Sequence, residues 1–333
     1  MKNYKKILPL LLVLVLTFGL TACGSKTNSS EEQDANPTVA AVTETENTEV
    51  SEATEAETPA PATEYPVTIT DSEGRDITVE AEPEKVVSMA PNITELMFAL
   101  GAEDKLVGRT DYCDYPEEAA QIESVGTLTT PDIEKIISLQ PDVVIASTHF
   151  TEESEEKLTE LGIKVILLYE EHEVEGVYTI LDTLGTILNE KDSAAALVTE
   201  MKTSIEETKA AVAGLETPSV YYVVGFGEYG DYTAGGDTFV GQLITLAGGN
   251  NIAQDVSGWS YTLESLVEAD PDIIIIAEGM KESFVTADNY KELSAVKNGN
   301  VYGIDNNTVE RQGYRNAEGI RALAEIFHPD AFK

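Results

Sequence analysis

The chain has 333 residues and a formal net charge of −39, from 60 acidic and 21 basic side chains. Such acidity excludes a nucleic-acid surface and a basic membrane-binding face. Two cysteines, Cys23 and Cys113, and three histidines far apart in sequence, His149, His172 and His328, exclude a zinc-type metal cluster.

Met1 to Lys6 is basic and is followed by "ILPLLLVLVLTFGL", an apolar run too short for a comfortable membrane span. The "LTAC" that closes it has the form of a bacterial lipobox, so residues 1–22 read as a lipoprotein signal peptide and Cys23 as the lipidated residue. A plain signal peptide with an incidental cysteine is the simpler alternative. With Cys23 lipidated, Cys113 has no intrachain partner, and an exported protein without disulfides relies on its core. Gly24 to Glu64 has eight threonines, ten acids, one lysine and no aromatic residue. It cannot bury enough apolar surface to offset chain entropy, so residues 23–64 read as a disordered tether with a reach on the order of 35 Å.

From Tyr65 the pattern alternates. "EKVVSMA", "DKLVGR", "DVVIAS" and "KVILLY" read as strands. Between them lie three helical stretches: "PNITELMFALGA", with Asn92 as N-cap, "TTPDIEKIISL", with Thr130 as N-cap, and "TEESEEKLTELG". Near-continuous apolar strands separated by helices mean a parallel sheet. Residues 173–215 are helical almost throughout, and "DSAAALVTEMKTSIEETKAAVAGL" alone predicts a helix of roughly 35 Å. The alternation then resumes: strands "SVYYVVGF", "DIIIIAE" and "NVYGID", and helices "DTFVGQLITLAGG", "TLESLVEAD", "NYKELSAV" and "RNAEGIRALAEIF". The fold class is therefore α/β, with one lobe over 65–172, a helical linker over 173–215 and a second lobe over 216–333.

One phrase occurs in both lobes: "IEKIISLQPDVVIA" from Ile133 and "LESLVEADPDIIIIA" from Leu263. Each is a short amphipathic helix, then Pro-Asp, then a buried strand, and each carries an acid at its second position, Glu134 and Glu264. It marks a single internal duplication. An acid in a first helical turn is favoured by the helix dipole at roughly 0.3–1 kcal/mol, which would by itself account for both glutamates.

These phrases, with "SMAPNITELMFALGA", "DYCDYPEEA" and "ERQGYRNAEGI", resemble the solute-binding proteins of ABC importers, in the class that handles cobalamin, ferric siderophores and haem. The resemblance spans Tyr65 to Lys333. It implies two Rossmann-like lobes with parallel sheets joined by one long α-helix, with the ligand held between them and limited lobe motion. It also implies a monomer that docks on a permease dimer, served by its ATPase, through one exposed glutamate per lobe. Glu134 and Glu264 stand at the matching points.

Loops at the carboxyl ends of the strands are where such sheets meet ligands. They carry Tyr112, Phe150, Tyr229, Tyr232, Trp259, Arg311 and Tyr314, a set suited to a flat, bulky, partly apolar ligand. Tyr115, before Pro116, reads as a packing residue. His149 is either a metal ligand or a solvated loop residue, and Arg315 either a ligand contact or a salt bridge on the last helix. Compared with the cobalamin-binding members, Tyr112 and Trp259 fall on aromatic contact positions, while Leu128 and Ser147 stand where tryptophans are found. A corrinoid is the first expectation and a ferric siderophore or haem the second, held by an extracytoplasmic protein that meets the membrane through its lipid anchor only. No Ser-His-Asp order or paired-carboxylate motif points to an exported enzyme, and a structural adhesin would not explain one repeated acid per lobe. "GFGEYG" matches the dinucleotide G-x-G-x-x-G pattern, but "DYTAGGD" follows it where a helix should open.

Overall fold

A computed structural model describes residues 61–170 and 172–333. The signal peptide, Cys23 and the tether up to residue 60 lie outside the described residues. The predicted strands form: β3 (Val86–Ser88), β4 (Leu106–Arg109), β5 (Val143–Ala146) and β6 (Val165–Leu167) in the first lobe, and β7 (Ser219–Val223), β11 (Ile273–Ala277) and β12 (Val301–Ile304) in the second. Two-residue β9 (Asn250–Asn251) completes the second sheet. All neighbours within these two sheets are parallel, in the orders β4-β3-β5-β6 and β9-β7-β11-β12. Counted within its own lobe, each sheet reads 2-1-3-4. The duplication seen in one phrase thus extends to the topology of the whole lobe, and the phrase supplies strand three in both.

The helices are α1 (Pro91–Ala99), α2 (Ile133–Leu139), α3 (Glu152–Glu160), α4 (Val174–Leu188), α5 (Lys191–Val212), α6 (Phe239–Leu246), α7 (Leu263–Ala269), α8 (Lys281–Thr286), α9 (Ser294–Asn298), α10 (Asn307–Glu310) and α11 (Asn316–Phe327). Two predicted caps are displaced. Asp132, not Thr130, caps α2 by accepting from the Lys135 amide at 3.0 Å, while the Thr130 hydroxyl pairs with Thr127. Asn92 lies inside α1 and donates to the Gln312 carbonyl; Pro91, with its fixed φ, opens the helix instead. "NYKELSAV" is helical only from Ser294, because Tyr290 and Leu293 close turns that bury both side chains. Pairs whose strands are too short for periodicity to reveal were not foreseen: the hairpin β1 (Val67–Thr70) with β2 (Asp76–Val79), and the ribbon β8 (Asp231–Tyr232) with β10 (Ser260–Tyr261).

The linker stretch holds two helices, the shorter α4 and the long α5. Asn189 takes a left-handed φ of 63° and ends α4, and the Glu190 amide returns to the Gly185 carbonyl at 2.7 Å. Gly185 is needed there, since a Cβ would stand 2.6 Å from that of Ala194 on α5. The end of α4 is held by the first lobe, through Lys105 on the Leu188 carbonyl and the Tyr65 hydroxyl on that of Ile187. α5, 22 residues and about 33 Å long, ends in the second lobe, where Val212 meets Gly248. One apolar core therefore runs unbroken from Val86, Ile93 and Leu96, through Leu181, Leu184 and Met201, to Tyr222, Leu243 and Ile320. Separate clusters cover the outer faces of the two sheets.

The Pro-Asp of the repeated phrase has one function in both lobes. Gln140 and Asp270 take left-handed φ values of 52° and 37° and end their helices. Two residues on, Asp142 accepts from the Glu84 and Lys85 amides ahead of β3, and Asp272 accepts from the Ser219 amide and hydroxyl at the start of β7. Each aspartate ties strand three to strand one. The Ser219 bonds hold the Asp272 carboxyl below its ordinary range, so its contribution is present at neutral pH and lost as pH falls through that lowered value. Asp272→Ala is expected to be less stable than the parent at pH 7, with the difference closing below about pH 4; denaturant titrations at pH 7 and pH 3.5 measure it.

A second link crosses between lobes. Glu95 of α1, 4% exposed, receives Arg315 in a two-point pairing at 2.8 and 3.0 Å and Arg311 at 2.7 Å. Arg311 also meets Asp114 at 2.7 Å, Arg315 meets Asp305 at 3.3 Å, and the Arg315 guanidinium lies 4.0 Å from the Tyr115 ring centre. Tyr115 packs as expected. Removing Glu95 leaves two clustered arginines with their central counter-charge gone, so Glu95→Ala is expected to lose about 3–5 kcal/mol of unfolding free energy in a urea titration.

Candidate functional site

In both sheets the polarity of the strand order changes between strands one and three, and the loops leaving those strands converge between the lobes. Two adjoining cavities of about 570 and 310 Å³ lie there and share Thr148, His149, Glu310 and Gln312. The larger adds Phe239, Val240 and Trp259 as an apolar wall, with Asp237, Glu170 and His172. The smaller adds Met89 and Ala90 from the loop after β3, Leu128, and Tyr112. Tyr112 from the first lobe and Trp259 from the second remain 54% and 44% exposed, as large aromatic surfaces without a full set of protein neighbours.

The predicted site residues divide. Tyr112, Trp259 and Arg311 line the cavities, as do His149, Leu128 and Ser147. Phe150 packs against the outer cluster of the first lobe. Tyr229, 86% exposed, and Tyr232, whose hydroxyl donates to the Tyr229 carbonyl at 3.1 Å, sit on the turn and ribbon after β7, outside both cavities. Tyr314 packs on the central core and faces a third cavity beside α5, where burial first, and then its hydrogen bond with Tyr115, raises its hydroxyl to about 12. Arg315 forms the buried salt bridge to Glu95 and lines neither cleft cavity, bordering instead the third cavity with Tyr314.

Arg311 reaches the cavity wall with its charge already paired. Burial alone would lower its pKa, but its hydrogen bonds to Asp114 and Glu95 outweigh that and raise it. The sequence reading missed Gln312, one residue further on. Its side chain donates to the Glu170 carbonyl and accepts from the Glu170 amide at 2.9 Å, and its carbonyl receives Asn92. The floor shared by both cavities is therefore a polar bridge between lobes. Gln312 lies inside the quoted "ERQGYRNAEGI", so the signal was present, but nothing local distinguishes it from a surface glutamine.

The glycine-rich turn "GFGEYG" offers no phosphate cradle of the dinucleotide type. Gly227 and Gly230 adopt φ values of 100° and 107°, the chain passes into β8, and the next helix opens only at Phe239.

Glu134 and Glu264 are exposed on α2 and α7 and make no hydrogen bond or ion pair among the described residues. Residue for residue, the two helices bury the same positions: Ile136 and Leu266 are buried, Ile137 and Val267 exposed. In the chain, α2 opens five residues after the cavity-lining Leu128 and α7 four residues after the cavity-lining Trp259.

Residues 86–308 match the family described as periplasmic binding protein. An uncharacterized ABC transporter substrate-binding lipoprotein of Bacillus subtilis is 35% identical over 81% of this chain and 88% of its own length. A cobalamin-binding protein of Halobacterium salinarum is 30% identical over 80% of this chain and 75% of its own. Among solved structures, an ABC-type Fe3+-hydroxamate transport protein of Saccharomonospora viridis superimposes with a TM-score of 0.67 at 25% identity, over 80% of this chain and all of that one. The chain belongs to the periplasmic binding protein family, as a solute-binding protein of the ABC importer class and not an enzyme.

Proposed function

We propose that the protein captures a corrinoid in the cleft between its lobes and delivers it to an ABC permease. The observation that carries this reading is the placement of Tyr112 and Trp259, one from each lobe, in adjoining cavities with an apolar wall of Phe239 and Val240. Aromatic faces on two sides of a shallow polar floor suit a flat macrocycle with a polar rim. The relative named for cobalamin binding supports it. The Fe3+-hydroxamate and haem proteins among the structural neighbours make a ferric siderophore or haem the second reading.

Delivery rests on Glu134 and Glu264. A two-fold permease presents the same surface twice, and a chain whose lobes repeat their topology can meet it with one acid per lobe. The unpaired state of both carboxylates and their equivalent positions on α2 and α7 support this docking role. We further infer that Cys23 carries the lipid anchor, that residues 23–64 tether a folded body with lobes at 65–172 and 216–333, and that the body acts extracytoplasmically as a monomer.

Two outcomes are expected. Titration of the folded fragment, Tyr65 to Lys333, with cyanocobalamin saturates at submicromolar concentration by calorimetry, and Trp259→Ala weakens it by about tenfold or more, as the loss of a central aromatic contact does. Haemin or a ferric hydroxamate binding in its place would move the ligand to the second reading. Glu134→Ala with Glu264→Ala leaves that affinity unchanged and abolishes uptake of labelled ligand by cells; a loss of affinity would assign the acids to the pocket or the fold instead.

A further inference from the structure

The charge of the cleft restricts which chelates it accepts. Among the described residues lining the two cavities, the ionisable side chains are Glu170, Asp237, Glu310, Arg311, His149 and His172. No lysine is among them, and the one guanidinium is shared between Glu95 and Asp114. Asp237 accepts from the Ser257 hydroxyl and the Gly258 amide at 2.5 and 2.7 Å. Glu310 accepts from the Tyr222 hydroxyl at 2.9 Å and from Asn306 at 2.7 Å. These donors are neutral, so they satisfy the carboxylate oxygens without adding a positive charge beside them. The Ser257 and Gly258 bonds hold the Asp237 carboxyl below its ordinary range. Asp237 and Glu310 stand on the same cavity as Trp259, while Glu310 also lines the Tyr112 side.

We infer that the cleft selects neutral or cationic metal chelates and rejects those with carboxylates on their rim, with Asp237 and Glu310 as the residues that set this preference. The inference rests on the proposed capture of a macrocyclic chelate and narrows its class. It differs from the sequence reading, in which Arg311, and Arg315 as one of two alternatives, stand as ligand contacts. The structure pairs them within the protein, and a rim carboxylate entering the cleft would meet two carboxylates whose hydrogen-bond donors are all neutral.

The test uses ligand pairs that differ only in carboxylate: cyanocobalamin against its monocarboxylate, in which one peripheral amide is hydrolysed, and haemin dimethyl ester against haemin. Calorimetric affinities are measured at pH 8, above the ordinary histidine range, at low and at high salt. The neutral member of the bound pair is expected to bind about tenfold more tightly at low salt, with the ratio shrinking as salt screens the repulsion. Glu310→Gln and Asp237→Asn, singly and together, keep the side-chain shape and one acceptor oxygen each while removing the negative charge, and are expected to bring the ratio toward one. Equal binding of both members at low salt, or a ratio unmoved by salt and by these variants, would overturn the inference while leaving capture of that chelate intact. Binding by no member of either pair would overturn both.

Discussion

A single buried carboxylate governs much of this molecule. Glu95 lies on the first helix of the first lobe, and the two arginines that neutralise it arrive from the far end of the chain, more than 200 residues later. An isolated charge at that depth would be prohibitive, and two unpaired arginines would be little better; only their meeting makes either tolerable. The lobes must therefore approach in one register, and several features depend on it. Gln312, next to Arg311, is carried across to the Glu170 backbone and becomes the floor of the cleft. Tyr115 is set beneath the Arg315 guanidinium. The cleft itself is left with no uncommitted strong cation among the described residues. An ion pair that orients two halves of a chain thus also determines the electrostatic character of the space between them.

The unbroken core adds a second constraint. Apolar contacts pass from one sheet to the other through α4, α5, α6 and α11, so the lobes do not form separate hydrophobic bodies joined by a flexible strand. Opening the cleft widely would expose this shared core to water. The layered arrangement favours a cleft that is largely formed before its ligand arrives, with adjustment confined to side chains and to loops such as that bearing Trp259.

Much of the fold was legible because its signals are local. β-branched runs of four or five residues mark the buried strands, and the repeated phrase, with its Pro-Asp, marks strand three of each sheet and the tie to strand one. Asn189 falls between the two helical runs "VYTILDTLGTIL" and "DSAAALVTEMKTSIEETKAAVAGL", and the close approach of Gly185 to Ala194 shows how sharply the chain turns back there. The site was legible in part. Tyr112 and Trp259 stand on loops where an aromatic residue has no local reason to be, and both line the cavities. Tyr229 and Tyr232 carry the same local signal, yet a two-stranded ribbon holds them elsewhere. Arg311 and Arg315 could not be read correctly from position alone: whether an arginine faces a ligand or a carboxylate depends on Glu95, a partner that no spacing rule connects to them.

The chain enters the folded body at Thr63 and Tyr65, whose side chains bond the last carbonyls of α4. The other end of α4 begins beside the cleft, where the Val174 amide meets Gln242 at 2.6 Å. Fifteen residues of helix, about 22 Å, therefore separate the point of attachment from the ligand. If the body is anchored ahead of Tyr65 and docks at the cleft, as proposed, it is held from the end of α4 opposite its working face; delivery then requires the body to turn over relative to its anchor, and the reach of the stretch ahead of Tyr65 would set whether it can.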